Sequence, residues 1–200
     1  MLVIGLTGPT GSGKGTVAAH FAAFGLPVIN ADEVYHELLV PPSACLDELT
    51  ARFGPSIITP DGTLDRRALA GIVFASEEAL TALNAIAHKH VMQEIRRRLK
   101  CLRAQDTVAA VLDAPQLFEA GAERDCNVVV SVLADPALRL ERILRRDGID
   151  AQAARARMQA QRTDEFFRAH SDYVIENNES PERLLPAVRQ ILVEMGVIPA

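Results

Sequence analysis

The sequence predicts an α/β fold, a parallel five-stranded sheet with helices on both faces. Three observations carry this reading. Short apolar runs recur along the chain at Leu2–Leu6, Pro27–Asn30, Val108–Leu112, Val128–Leu133 and, more briefly, Asp172–Ile175. Most are continuous rather than alternating and rich in β-branched residues, which suits strands covered on both faces. Segments with helical spacing separate them, and a strand–helix–strand unit of this kind requires a right-handed crossover in a parallel sheet.

Each element has a local reason. After the first strand comes a glycine-rich turn, Gly8 to Gly15, then a helix over Thr16–Phe24 that Gly25 stops. From Ala31 to Leu102 the pattern is mostly helical, broken at Pro41-Pro42 and at the turn Pro60-Asp61-Gly62. The clearest helix begins at Ser76, a capping residue followed by Glu77 and Glu78 at the positive end. Leu80, Leu83, Ala87, Val91, Ile95, Leu99 and Leu102 fall on one face of it. Arg96, Arg97, Arg98 and Lys100 near its negative end read first as a solvated, dipole-matched terminus. Pro136 suits the first turn of a helix over Ala137–Arg146, and Leu184–Glu194 is a closing helix. The 200 residues thus make one domain: a core of about 1–32, 104–136 and 171–200, with helical insertions of about 33–103 and 137–170.

Composition excludes several classes. With 24% charged and 48% hydrophobic residues the chain is too mixed for disorder. No apolar run approaches the ~18 residues of a membrane span. Met1–Leu6 lacks a basic n-region and cleavage site, so no signal peptide is expected. Cys45, Cys101 and Cys126 are odd in number and far apart, which predicts reduced thiols and a cytoplasmic setting. A net charge of -5 argues against a nucleic-acid partner, though not against a local phosphate site. The 21 basic residues include only three lysines, Lys14, Lys89 and Lys100. Eight arginines against five acids between 139 and 168 make that segment locally basic, the character of a lid over a polyphosphate.

Gly8-Pro9-Thr10-Gly11-Ser12-Gly13-Lys14 fits G-x-x-x-x-G-K between a predicted strand and a predicted helix. Glycines let successive N–H groups turn toward one phosphate, the helix start adds positive potential, and Lys14 can neutralise β/γ oxygens. The competing reading is a glycine-rich turn with no ligand. A P-loop NTPase-type core therefore follows. The next position departs from the motif: Gly15 stands where a Ser or Thr would ligate Mg²⁺, and Thr16 follows. Mg²⁺ is still expected with ATP, held by phosphates and water, with Thr16 and Asp113 the candidate residues near it.

Phosphoryl transfer through a loose transition state needs positioning and charge neutralisation more than covalent chemistry. Asp32 follows the second strand, where ligands bind in open α/β sheets. It either handles an acceptor hydroxyl or caps the helix beginning near Glu33. Asp113 ends the third strand; it either holds metal-bound water or starts the turn before Pro115, and Glu119 is a weaker candidate.

At this point the chain resembles the dephospho-CoA kinase family, the last enzymes of coenzyme A synthesis, almost from end to end. The resemblance rests on Ile4-Gly5-Leu6-Thr7-Gly8, on Val28-Ile29-Asn30-Ala31-Asp32, and on Asp61-Gly62-Thr63-Leu64-Asp65-Arg66. It continues through Leu83-Asn84-Ala85-Ile86-Ala87-His88, Asp113-Ala114-Pro115-Gln116-Leu117-Phe118-Glu119 and Asp172-Tyr173-Val174-Ile175-Glu176-Asn177. It implies ATP-dependent phosphorylation of the ribose 3′-hydroxyl of dephospho-CoA, with insertion 33–103 as a CoA-binding lobe and 137–170 as a lid. By position it implies Asp32, Lys14 and Arg142 as catalytic, and Gly11, Ser12, Gly13, Lys14, Gly15, Thr16, Arg146 and Asn177 as ATP-binding. Asp32, Arg66 and His88 would face the acceptor, with a buried structural histidine the alternative for His88. No nucleic-acid or membrane partner is implied, and a monomer or weak homo-oligomer is expected. Gly15, Asn30, Lys89, Gln116 and Phe166 depart from the family pattern. The rival readings are a nucleoside monophosphate kinase-like enzyme, suggested by Gly13-Lys14-Gly15-Thr16, and a non-catalytic ATP-binding protein.

Overall fold

The computed structural model describes residues 1–179 and 183–199. In chain order the elements are β1 (Leu2–Thr7), α1 (Lys14–Ala23), β2 (Val28–Asn30), α2 (Ala31–Leu38), α3 (Ala44–Phe53), α4 (Arg66–Val73) and α5 (Glu77–Ala104). They continue with β3 (Ala109–Asp113), β4 (Val128–Leu133), α6 (Pro136–Asp147), α7 (Ala151–Gln159), α8 (Asp164–Ala169), β5 (Tyr173–Glu176) and α9 (Leu184–Glu194). The strands form one five-stranded parallel sheet in the order β2-β3-β1-β4-β5. β1 lies between β3 and β4, with Leu6 opposite Asp113 on one side and Val130 on the other. The chain therefore departs to opposite sides of β1, and the crevice beyond its carboxyl end is the switch point where such sheets bind ligands.

The chain divides into two compact units, Met1–Ile29 with Leu102–Ala200 and Asn30–Cys101. The first holds the main core. Ile4 and Leu6 of β1, Val111 of β3, and Val130 and Val132 of β4 meet Val17 and Phe21 of α1 and Val188 and Leu192 of α9. Removing this apolar surface from water is the principal driving force for the sheet, at roughly 25 cal/mol per Å². Helices α7 and α8, which belong to the basic segment, fall within this same unit.

The helical unit has a core of its own, made of Leu39, Cys45, Leu49, Ile57, Leu69, Val73 and Ala79. Its helices start on side-chain caps. Asn30 accepts from Asp32 and Glu33 N–H, Ser43 from Leu46 N–H, Asp65 from Arg67 and Ala68 N–H, and Ser76 from Ala79 N–H. The buried stripe of α5 is Ala79, Met92, Ile95 and Leu99. Leu80, expected on the apolar face, lies off this stripe and is exposed.

The basic end of α5 is more than a solvated terminus. Glu94 accepts from Arg97 Nε at 2.7 Å and from Arg98 Nε at 2.8 Å, and Arg98 also reaches Glu37 of α2. These guanidiniums, Arg97 first, lower the Glu94 pKa to about 2. A depressed carboxylate stabilises the fold above the ordinary carboxylate range and loses that contribution as pH falls toward its folded value. Glu94→Gln is therefore expected to lower stability at pH 7 by less than ~1 kcal/mol, since the partners are partly solvated. Denaturant midpoints at pH 7, 5 and 3 check this: the gap from the parent protein narrows as pH falls, and a gap that widens refutes it.

Candidate active site

The turn leaving β1 closes on itself through Ser12 N–H to the Pro9 carbonyl at 3.1 Å and runs directly into α1. Among the described residues, the N–H groups of Gly11, Gly13, Lys14 and Gly15 have no protein acceptor. They face the start of a ten-residue helix, where unpaired amides and the helix dipole both favour an anion. The buried Ser12 Oγ is likewise without a partner.

Three carbonyls of the same turn, those of Thr10, Gly11 and Ser12, are engaged from the other side. Arg139 Nε donates to Thr10 O at 3.0 Å, Arg142 Nη1 to Gly11 O at 3.3 Å and Ser12 O at 3.4 Å, and Asn177 Nδ2 to Ser12 O at 2.7 Å. Thr10 N–H donates to Gln161 Oε1 at 2.9 Å. Two glycines make this closeness possible. A Cβ on Gly11 would sit 2.7 Å from the Arg139 carbonyl, and one on Gly13 would sit 2.1 Å from Asn177 Nδ2. Both also adopt positive φ, 78° and 92°, a region that disfavours side chains.

Lys14, the first residue of α1, forms an ion pair with Asp113, the last residue of β3. The Asp113 side chain is 4% exposed and that of Lys14 is 15% exposed, so each charge depends on the other for compensation. Asp113 is thus more than the start of a turn. Asp32 lies in the helical unit, as the second residue of α2. The cap of α2 is Asn30, which leaves the exposed Asp32 carboxylate outside the capping interaction. Arg66 opens α4 and is exposed, while His88 is half-buried on α5.

Comparison with known proteins agrees with this geometry. The family model for dephospho-CoA kinase matches residues 2–182. The chain belongs to the dephospho-CoA kinase family. The dephospho-CoA kinase of Syntrophotalea carbinolica is 38% identical over 195 residues, covering 98% of this chain and 92% of that one. A crystal structure of a Thermus thermophilus protein aligns with TM-score 0.80 and 34% identity over 97% of both chains. The dephospho-CoA kinase structure from Campylobacter jejuni aligns with TM-score 0.74 and 25% identity over 98% of both.

Within this family, three of the departures, Asn30, Lys89 and Phe166, make local contacts of their own. Asn30 caps α2 through its side-chain oxygen, a task it shares chemically with Asp. Lys89 joins His90 on Glu48, each at 2.7 Å, and together these donors hold the Glu48 carboxyl below its usual range. Phe166 stacks on His170 at 4.1 Å, meets Phe118 edge-on at 5.2 Å and carries the Arg162 guanidinium over its face at 4.8 Å. Gly15 sits in α1, and among the described residues no atom outside its chain neighbours and the helix's own backbone lies within 4 Å of where a Cβ would be. Gly15→Ser is therefore expected to fold as well as the parent, with a helix-propensity gain of up to ~0.5 kcal/mol. If its missing hydroxyl matters, the Mg²⁺ concentration for half-maximal activity falls in the variant. An unchanged Mg²⁺ titration shows that this position is indifferent to the metal.

The arginines of 139–168 are less free than their sequence suggested. Arg139 is 5% exposed and pairs with Asp164 at 3.1 Å. Arg146 is held by Asp147 at 2.6 Å, and Asp147 also binds Arg157 at 2.5 Å. Arg162 pairs with Glu119 and Arg168 with Glu176. Arg146 thus occupies the exposed end of α6 in an ion pair, while Arg142 and Asn177 are turned to the carbonyl side of the phosphate loop. Arg139 and Gln161, which also hold the loop, were not singled out from the sequence. The available signal was the three-residue spacing from Arg139 to Arg142, which puts both on one face of α6.

Proposed function

We propose that this protein transfers the γ-phosphoryl group of ATP to the ribose 3′-hydroxyl of dephospho-CoA, giving coenzyme A and ADP. The observation that carries the reading is the set of unpaired amides at the start of α1, adjoining Lys14, in a chain of this family. A bond forms from the acceptor oxygen to the γ-phosphorus as the bond to the β–γ bridging oxygen breaks. The loop amides and Lys14 neutralise the charge on the phosphates. Asp32 accepts or orients the proton of the acceptor hydroxyl, and Arg66 and His88 of the helical unit serve the acceptor. Arg146 would reach nucleotide phosphate only after leaving Asp147.

Among the described residues no cluster of three His, Cys, Asp or Glu could cage a metal ion. The donors that are present, the Asp113 carboxylate and the Thr16 hydroxyl, fit a cation held through water, as suits Mg²⁺. With the nucleotide, Mg²⁺ supplies charge neutralisation on the phosphates. No helix among the described residues is long and apolar enough to cross a membrane.

A coupled ADP-release assay with dephospho-CoA, AMP, CMP and shikimate as acceptors tests the reading. Turnover is expected with dephospho-CoA alone. Turnover with AMP but not dephospho-CoA would make the protein a nucleotide kinase, and ATP binding without ADP release would make it non-catalytic.

A further inference from the structure

We propose a second small-molecule site in this protein, a cavity by the amino ends of β4 and β5 that takes a flat ring bearing an amidine-type pair of N–H donors. The cavity measures about 410 Å³ and is lined in part by Phe118, Glu123, Cys126, Arg162, Phe166 and His170. That volume falls in the range of small-molecule sites, roughly 300–1,000 Å³. Val128, the first residue of β4, and Asp172, just before β5, also line it. These strand residues sit at the amino end of the parallel sheet, whereas the phosphate loop leaves the carboxyl end of β1.

One wall is aromatic. Phe166 carries the Arg162 guanidinium over its ring at 4.8 Å and stacks on His170 at 4.1 Å. Phe118 meets both rings edge-on, at 5.2 and 5.9 Å. The polar groups are chiefly acceptors. Glu123 Oε2 is buried with no hydrogen-bond partner among the described residues, and Arg124 stands 3.7 Å from Oε1, beyond hydrogen-bond reach. Asp172 Oδ2 accepts from Val129 N–H at 2.8 Å, which leaves Oδ1. His170 Nδ1 lies 2.8 Å from the Phe166 carbonyl and must donate to it, so the neutral imidazole presents Nε2 as an acceptor. Arg162, the cation of the lining, is directed to Glu119 at 3.3 Å. The Cys126 thiol, pushed up to about 12 by burial, stays protonated.

A buried carboxylate oxygen without a donor is a destabilised group, and a ligand N–H satisfies it. Two parallel N–H groups match a carboxylate as a guanidinium does, and a flat ring packs on the aromatic wall. An anion would meet Glu123 and Asp172 and is disfavoured. Two sources share this chemistry, an aryl amidinium cation and the amino edge of a guanine-type base.

The test titrates the nitrogen-labelled full chain with benzamidine, guanosine and, as an anion of benzamidine's shape, benzoate. Amide shifts of Val128, Val129 and His170 follow the cavity, and those of Gly13 and Lys14 follow the phosphate loop. Benzamidine or guanosine is expected to move the first set with a Kd of about 1 mM, the scale of a fragment-sized ligand. Glu123→Gln is expected to weaken binding by about tenfold, the scale of one charge-assisted hydrogen bond. Binding by benzamidine alone identifies a cation site, and binding by guanosine a base site. No movement of the cavity set at the solubility limit of both probes overturns the proposal, as do shifts confined to Gly13 and Lys14. Benzoate binding as tightly as benzamidine, or an affinity unchanged in Glu123→Gln, overturns it too. Should Glu123→Gln fail to fold, His170→Leu decides: weakened binding supports the site and unchanged binding overturns it. Neither probe donates a phosphoryl group, so a failure of the dephospho-CoA reading appears separately, in the turnover assay.

Discussion

Lys14→Ala is expected to lower kcat at least ~100-fold, the scale of removing one group that stabilises charge at the transition state. The variant also has a structural consequence that sequence motifs do not reveal. Asp113, 4% exposed, loses its counter-charge. Breaking a buried pair from one side costs ~3–5 kcal/mol, because the remaining charge stays desolvated. Loss of activity alone would therefore not separate catalysis from unfolding. The double variant Lys14→Ala, Asp113→Asn removes both charges. It is expected to recover most of the stability lost in Lys14→Ala while remaining at least ~100-fold slow. Thermal midpoints and kcat on the same preparations check both parts. A folded Lys14→Ala protein turning over near the parent rate would remove Lys14 from the chemistry. Activity returning with stability in the double variant would make its role structural.

The ion pair also shows where sequence reading stops. The strands were legible because continuous β-branched runs are a local signal, and the phosphate loop because its glycines and Lys14 lie within seven residues. Lys14 and Asp113, by contrast, are 99 positions apart, and only the register of β1 against β3 brings them together. The same limit applies to Arg142. A count of arginines shows that a segment is basic, but not that Asp147, Asp164, Glu119 and Glu176 take up much of that charge. Nor does spacing show that Arg142 and Asn177 meet at Ser12, since their positions differ by 35 residues and depend on β4 and β5 pairing correctly. On α5, Leu80 and Ala79 are adjacent and both apolar, and packing against the helical unit selects the smaller one. Asp32 was open to two readings, an acceptor group or a helix cap, because Asp is a good cap; backbone placement gives the cap to Asn30 and leaves Asp32 in the first turn.

That last point makes Asp32→Asn a clean test of the chemistry. Asn30 accepts from the Asp32 and Glu33 N–H groups through its own side chain, so replacing Asp32 leaves the helix start intact. The exchange keeps size and shape and removes one negative charge from the first turn of α2, a dipole interaction worth ~0.3–1 kcal/mol at an exposed site. Stability should therefore change little. If Asp32 takes or orients the acceptor proton, kcat falls by ~10²–10⁴, the range of a lost general base. ATP affinity, measured without acceptor, stays within about twofold, since the loop that binds phosphate is untouched. The dephospho-CoA KM can rise with the loss of a hydrogen bond to the hydroxyl, but the dominant effect is on kcat. A variant whose ATP affinity collapses while kcat holds would move Asp32 to the metal or the nucleotide. One with kcat unchanged would leave the acceptor hydroxyl to be activated by its position alone, which a loose transition state tolerates better than most reactions.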